Sequence, residues 1–148
     1  MLNNSTSALV ADNTFRNLRG SAVHAGFIHH PNPLPVEGCG SRDYLIRDNK
    51  MHNCGSKAIN VTSDAGIGGN IIIKNNTISY SSKSFWNGIA ISGNNDGVVI
   101  KDNLFQSPKA PERGPWIISV NNDQTVQLSN NHIDPPHPNV PIFKEQKK

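Results

Sequence analysis

Hydrophobic and polar residues alternate between Asn70 and Phe105, and the alternating pattern occurs twice. The matching residues, 27 positions apart, are Ile71 and Val98, Ile73 and Ile100, Asn76 and Asn103, and Ile78 and Phe105. Alternation with a period of two is typical of β-strands. A repeat of about 20–50 residues built from such strands is typical of a solenoid. We therefore interpret the chain as a stack of similar β-rich units.

Five copies of this unit can be recognised, each by one asparagine. They are Asn13, Asn49, Asn76, Asn103 and Asn131, at spacings of 36, 27, 27 and 28 residues. Apolar residues recur five and three positions before each asparagine and two positions after it, so they form inward columns of a strand. The asparagine is predicted to stand at a tight corner, where its amide stacks on the equivalent amide of the next unit as a ladder.

An acid or an amide precedes each of these asparagines. The acids are Asp12, Asp48 and Asp102, and amides replace them in the other two units. Interchange of Asp and Asn indicates turn chemistry, because both side chains can hydrogen-bond to nearby backbone. These three carboxylates are therefore discounted as catalysts.

A second strand is predicted in four of the units. It covers Val23 to Ala25, Ile59 to Val61, Ile89 to Ile91 and Ile118 to Val120. Its outward residues are His24, Asn60, Ala90 and Ser119, which form a small and mostly polar row. The outward row of the first strand is aliphatic in four units and ends in Gln127. We expect a tail, another domain or a partner to cover this aliphatic row, because large exposed apolar patches usually mark interaction surfaces.

Two-strand units of this length, each strand pairing in parallel with its equivalent in the next unit, describe a parallel β-helix. The pattern resembles the right-handed parallel β-helix repeats of pectate-lyase-like proteins. The resemblance implies an all-β fold in which residues 1–134 form a right-handed parallel β-helix (solenoid) of about five coils, expected to be a piece of a longer helix. Residues 135–148 are predicted to be a C-terminal tail that covers the last coil or the outer face.

Composition and charge narrow the classes of function. The formal net charge is +3, and no basic stripe with interleaved aromatic residues is present, so no nucleic-acid partner is expected. No apolar run approaches membrane-spanning length, so no membrane insertion is expected. Cys39 and Cys54 are interpreted as two unpaired buried thiols, with a disulfide as the alternative. No signal peptide follows Met1, and we expect the parent protein to be extracellular or periplasmic.

The units depart from the minimal repeat in loops that flank the polar row. The first unit carries an insertion between Ala25 and Tyr44 that includes Glu37. In the third and fourth units the corner before the second strand is longer, and these long corners contain Trp86 and Trp116. A shallow polar floor with aromatic rings beside it suits a carbohydrate, whose apolar faces stack on such rings.

The polar row and its flanking loops therefore predict a carbohydrate groove that includes His24, Asn60, Trp86 and Trp116. Two interpretations of the tryptophans remain open: rings that stack on sugar, or corner caps that pack on the solenoid. His24 and Asn60 are either ligand contacts or ordinary solvated strand residues. The pair His29 and His30 lacks a third ligand at a convincing spacing, so neither a metal site nor a cofactor is predicted.

Two stretches carry a narrower resemblance. They read DNTFRNLRGSAVHAG from Asp12 to Gly26 and VEGCGSRDYLIRDNKMHNCGSKAINV from Val36 to Val61. Both resemble the later coils of the β-helix glycoside hydrolases that act as α-1,3-galactosidases. The resemblance implies that the catalytic carboxylates belong to coils upstream of this chain, and it matches Glu37 to a loop position only. Glu37 is therefore a candidate substrate contact.

Glycoside hydrolysis needs two carboxyl groups about 5–9.5 Å apart. Asp64 and Asp123 follow the second strand in the second and fourth units, which places them roughly 10 Å apart by the strand spacing. Both stand in turn contexts rich in Asn, Ser and Gly. They are the remaining candidates for catalytic acids.

Two functions are carried forward. In the first, the chain is the C-terminal part of a carbohydrate-active β-helix protein, an α-galactosidase-like glycoside hydrolase, to which it contributes substrate contacts while being inactive alone. In the second, it is a non-catalytic β-helix module of an extracellular, adhesion or phage tail-spike protein. In both, we expect upstream coils, another domain or a second copy of the chain at the N-terminal end, because an open solenoid end exposes its core.

Overall fold

The computed structural model describes residues 7–26, 42–55, 57–81, 87–107, 118–121, 126–136 and 143–146. Within these ranges every regular element is a β-strand. The strands are β1 (Ala8–Ala11), β2 (Thr14–Arg16), β3 (Val23–Gly26), β4 (Arg42–Arg47), β5 (Lys50–His52), β6 (Lys57–Lys74), β7 (Thr77–Ser79), β8 (Asn87–Lys101), β9 (Leu104–Gln106), β10 (Ile118–Asn121), β11 (Val126–Ser129), β12 (His132–Asp134) and β13 (Phe143–Gln146).

All pairings between these strands are parallel, and each joins equivalent strands of neighbouring repeats. The first row consists of β1, β4, the second halves of β6 and β8, and β11. The second row consists of β3, the first halves of β6 and β8, β10 and β13. The third row consists of β2, β5, β7, β9 and β12. The predicted all-β, parallel architecture is confirmed to this extent, and the rows are consistent with a parallel β-solenoid.

Each repeat contains three strands, so the predicted two-strand unit is wrong in this respect. The residue two positions after each ladder asparagine was assigned to the first strand, but in the structure it belongs to a separate strand of the third row. Phe15 and Met51, for example, lie in β2 and β5 and are directly paired. Their side chains also point inward, but they lie five positions after Val10 and Ile46 of the first row, an odd spacing that interrupts the period of two at the corner.

The corner between the first and third rows depends on the residue before each ladder asparagine. All five of these residues have positive φ angles, between 51° and 59°: Asp12, Asp48, Asn75, Asp102 and Asn130. Asp and Asn adopt this left-handed conformation more readily than other residues with a side chain. The expected turn chemistry is confirmed, although the unusual dihedral belongs to the residue before the ladder asparagine.

The predicted asparagine ladder is present across all five repeats. The Nδ2 atom of each asparagine donates to the Oδ1 atom of the next, at 3.1 Å from Asn13 to Asn49 and at 3.0 Å in the later steps. The same Oδ1 atom also accepts the backbone N–H of the preceding asparagine. The side chains of Asn49, Asn76 and Asn103 are almost fully buried, so these bonds are made away from water.

The core consists of the inward residues of all three rows. Its central members include Ile46, Ile73, Ile78 and Ile100, each with at most 1% of its surface exposed. The corresponding apolar residues of the first and last repeats, such as Phe15 and Ile133, are only partly buried. The core is therefore best packed in the middle repeats.

The outward row of the first strands is exposed along much of its length. Leu9, Leu45, Ile72 and Val99 are in register on adjacent strands. Leu9 is 62% exposed and Ile72 is 37% exposed. The expectation that a further segment or partner covers this row stays a prediction.

Part of the C-terminal tail adds a strand to the second row. Residues Phe143–Gln146 pair in parallel with β10, with Phe143 opposite Ile118. The prolines of the tail lack the backbone N–H that a strand ladder needs, but the segment after them carries such groups and can pair. Within the described residues there is no helix long and apolar enough to cross a membrane.

Cys54 and Tyr80 form a buried polar contact next to the core. Cys54 is a free thiol, and the Tyr80 hydroxyl donates to the Cys54 carbonyl at 3.2 Å. Burial raises the pKa of the Cys54 thiol. Burial, and secondarily the charge of Cys54, raises the pKa of the Tyr80 hydroxyl.

These raised pKa values predict a loss of stability at alkaline pH. Ionisation then favours the unfolded chain, so the stability is fully present below the unfolded pKa values of about 8.5 and 10 and is lost as pH rises towards the folded values. Thermal melting from pH 7 to pH 11 should therefore show a fall that begins above about pH 8.5. C54A should remove the first part of the fall and Y80F the second. A fall in C54A or Y80F as large as that of the unaltered chain would contradict the assignment to that residue.

Candidate carbohydrate-binding face

The outer face of the second row carries the residues predicted to form a groove. His24 is directly opposite Asn60, and Asn60 is opposite Ala90. Ala90 is opposite Ser119, and the tail extends the row with Lys144. The register follows from residues such as Val23, Ile59 and Ile89, whose buried side chains point into the core and fix which face the next residue occupies. We call this surface the second-row face.

His24 and Asn60 are brought together, as predicted, and a third residue joins them. The Nε2 atom of His24 lies 3.2 Å from the Thr62 hydroxyl and 3.5 Å from the Asn60 Nδ2 atom. All three side chains are partly exposed. The cluster can therefore offer an imidazole, an amide and a hydroxyl to a ligand at one place.

Thr62 was missed in the sequence, although a signal was available. It lies two positions after Asn60 and therefore on the same side of β6. The predicted second strand ended at Val61, whereas β6 continues through Thr62. Extending the alternation by one further position would have placed Thr62 on the second-row face.

The middle of the face is less open than the sequence suggested. Ala90 is outward by register but only 4% exposed. The predicted groove runs over His24, Asn60, Ala90 and Ser119. Of the side chains described in this row, the accessible polar ones are those of His24 and Asn60, at one end of the groove. The side chains of Ser119 and Lys144 lie outside the described part.

Several predicted site residues are not tested by the structure. Glu37, Trp86, Trp116 and Asp123 lie outside the described residues, and only the backbone of Asp64 is described. The proposed ring contacts, the loop acid and the catalytic candidates therefore stay predictions.

The described acids at the ladder corners have structural partners. Arg47 contacts both Asp12 and Asp48, and the Asn130 Nδ2 atom donates to Asp102 at 3.2 Å. The hydrogen bond from Arg47 holds the pKa of Asp48 below its usual value. Asp48 is thus kept as a carboxylate that fixes a corner, which supports discounting it as an acid catalyst.

No group of three or more His, Cys, Asp or Glu residues in the described ranges is arranged to hold a metal ion. What His24, Asn60 and Thr62 offer is a set of hydrogen-bonding groups on neighbouring strands. Such groups bind and orient a polar ligand, but they do not by themselves supply the pair of carboxyl groups that glycoside hydrolysis requires.

Comparisons with protein-family models, with curated proteins and with solved structures gave no match to this chain.

Proposed function

We propose that the chain forms coils of a right-handed parallel β-helix that binds carbohydrate, as the C-terminal part of an α-galactosidase-like glycoside hydrolase. In this proposal it supplies substrate contacts, and the catalytic acids belong to other coils. The observation that carries the proposal is the cluster of His24, Asn60 and Thr62 on the second-row face. The right-handed, pectate-lyase-like form of the helix is part of the proposal and rests on the repeat pattern.

The chemistry of the cluster suits sugar hydroxyl groups. An amide both donates and accepts hydrogen bonds, a hydroxyl does the same, and a neutral imidazole offers one donor and one acceptor. Neutral groups of this kind recognise hydroxyls without requiring a charged ligand. Trp86, Trp116 and Glu37 are proposed to border the same ligand from the flanking loops, with the rings stacking on sugar faces.

The location of the parent protein is proposed to be extracellular or periplasmic, where polysaccharide ligands are encountered. The alternative of a non-catalytic module for adhesion or for a tail spike uses the same binding face. The two differ in whether the complete protein hydrolyses the glycan that this face binds.

Replacing His24 and Asn60 by alanine should weaken glycan binding at least tenfold, because two adjacent hydrogen-bonding groups are removed from one contact. The measurement is titration calorimetry with α-1,3-linked galactobiose, preceded by a glycan array to choose the tightest ligand. The double variant H132A/Q127A is the matched control, since it removes an exposed His and an exposed amide from the other two rows. We expect it to bind like the unaltered chain.

Four outcomes decide the proposal. Loss of binding in H24A/N60A with an unchanged melting temperature supports it. Equal binding by both double variants would contradict it, as would the absence of any glycan ligand. Hydrolysis of an α-galactoside by this chain, abolished in D64N or D123N, would overturn the assignment of the catalytic acids to other coils.

A further inference from the structure

The outer face of the third row contains a recess that is separate from the second-row face. It has a volume of about 240 Å³ and lies across β2, β5 and β7. Its lining side chains alternate with the core residues of these short strands and therefore point outward. They are Thr14, Arg16, Lys50, His52, Thr77 and Ser79, and the core residue Met51 borders the recess between Lys50 and His52. The recess is thus bordered by two cationic side chains, an imidazole and three hydroxyls.

The two cationic side chains of the recess have no carboxylate to neutralise them in the described part of the chain. No acid lines the recess, and Arg16 and Lys50 take no part in the ion pairs that Arg47 makes with Asp12 and Asp48. Arg16 and Lys50 lie on neighbouring strands, offset by two residues. Strand geometry puts their Cα atoms roughly 8 Å apart, so their long side chains can reach the same point above the sheet.

His52 forms a fixed wall of the recess, and its hydrogen bonds define its tautomer. The Oδ1 atom of Asn53 accepts the backbone N–H of Ser81 at 2.9 Å, so the Nδ2 atom of Asn53 must be the group that faces His52. That atom lies 3.1 Å from His52 Nε2 and can only donate, which makes Nε2 an acceptor. The hydrogen is therefore on Nδ1, which donates to the Ser79 hydroxyl at 2.9 Å.

The hydroxyls divide into two groups. Ser79 is already engaged, since it accepts from His52 and lies 3.4 Å from the Met51 carbonyl, to which it donates. Thr14 and Thr77 make no side-chain hydrogen bond to the described residues, and both border the recess. Their hydroxyls can therefore donate to a ligand between Arg16 and Lys50.

We propose that this recess binds an oxyanion, the carboxylate or sulfate of a ligand that lies across the first three repeats. The Arg16 guanidinium and the Lys50 ammonium supply the charge, and Thr14 and Thr77 supply neutral donors. Arg suits this role because its planar donors match two oxygens of such a group at once. The volume lies below the range of about 300–1,000 Å³ that is typical of sites for drug-sized ligands, so the recess accommodates one charged group or one sugar unit.

The test is titration calorimetry at low ionic strength with three probes: inorganic sulfate, digalacturonate and neutral galactobiose. We expect sulfate or digalacturonate to bind, with an affinity that falls as salt is added. R16Q/K50Q should lose at least tenfold in that affinity. K74Q/K101Q, which removes two lysine charges at the ends of first-row strands, should retain it, and so should H24A/N60A.

The two anionic probes distinguish the source of the oxyanion. Binding of sulfate alone assigns the recess to a sulfate ester, and binding of digalacturonate assigns it to a carboxylate. Binding of neither anion overturns the proposal. Equal loss in R16Q/K50Q and K74Q/K101Q also overturns it, because net charge alone would then explain the binding. Since both substituted side chains are exposed, the melting temperature should not change.

Discussion

Replacing Asn76 by alanine should lower the free energy of unfolding by roughly 2–5 kcal/mol, because buried partners lose their hydrogen bonds. The Nδ2 atom of Asn76 donates to Asn103 Oδ1 and to the carbonyls of Ile46 and Lys74. Its Oδ1 atom accepts from the backbone and side-chain nitrogens of Asn49. An alanine leaves the buried N–H of Asn49 without an acceptor. Urea denaturation of the variant measures the loss.

The position along the ladder should set the size of the effect. Asn131 accepts two hydrogen bonds from Asn103, but among the described residues its side chain donates only to the Ile100 carbonyl, and it is slightly more exposed. Asn13 donates to Asn49 and to the Ala11 carbonyl, and its Oδ1 atom accepts nothing from the described residues. The expected order of destabilisation is therefore N76A, then N131A, then N13A. Equal losses in all three variants would contradict a cooperative ladder.

The asparagine ladder was predictable from the sequence because its chemistry recurs at one position. A buried amide at a corner bonds to backbone groups in its own repeat and in the preceding one, and to the ladder amide of the following one, so little else can replace it. The spacing of these residues also fixed the register of the first row, in which Val10 is opposite Ile46. Prediction succeeded where one residue type performs the same task in every repeat.

The third strand of each repeat was harder to predict. Phe15 and Met51 lie five positions after the inward residues Val10 and Ile46 of the first row. This odd spacing interrupts the period of two where the chain changes direction, and the sequence interpretation treated the residues on both sides as one strand. The signal that was overlooked is the pairing of Asp or Asn with the ladder Asn, which marks a corner of two residues.

The two candidate sites also differ in how far the sequence could predict them. His24 and Asn60 could be placed side by side because inward Val and Ile residues set their register. The third-row recess could not be predicted while Arg16 and Lys50 were assigned to a continuing first strand. Its members come from three repeats with different residue types, so no column of one type draws attention to them. Sites that depend on such variation need the three-dimensional arrangement.

Replacing Gly55 by alanine should destabilise the chain by about 2–5 kcal/mol, the sum of a conformational cost and a steric cost. Gly55 has a φ angle of +48°, and its N–H donates to the Leu18 carbonyl at 2.9 Å. A Cβ atom at this position would lie 2.6 Å from the Gly20 carbonyl oxygen and 2.7 Å from its carbon. Because these are backbone atoms, they can move only if the turn of the first repeat moves away from the second.

Two glycines provide matched controls for this prediction. Gly97 also has a positive φ angle, +66°, but a Cβ atom there would be 3.6 Å from its nearest neighbour, the Asn70 Oδ1 atom. G97A should therefore bear only the conformational cost of roughly 1–2 kcal/mol. G20A should be close to neutral, since a Cβ atom at Gly20 meets nothing within 4 Å. Thermal and urea unfolding of the three variants separates the two costs.

The displacement in G55A should also reach the second-row face. The turn that contains Gly20 leads directly into β3, and the Ala22 N–H is bonded to the Ala58 carbonyl at 2.9 Å. Moving that turn strains this bond and shifts His24 relative to Asn60 and Thr62. We therefore expect faster hydrogen exchange at Ala22 and weaker glycan binding in G55A than in G97A. If G55A and G97A are equally stable and bind equally, the close approach of the two turns does not position His24.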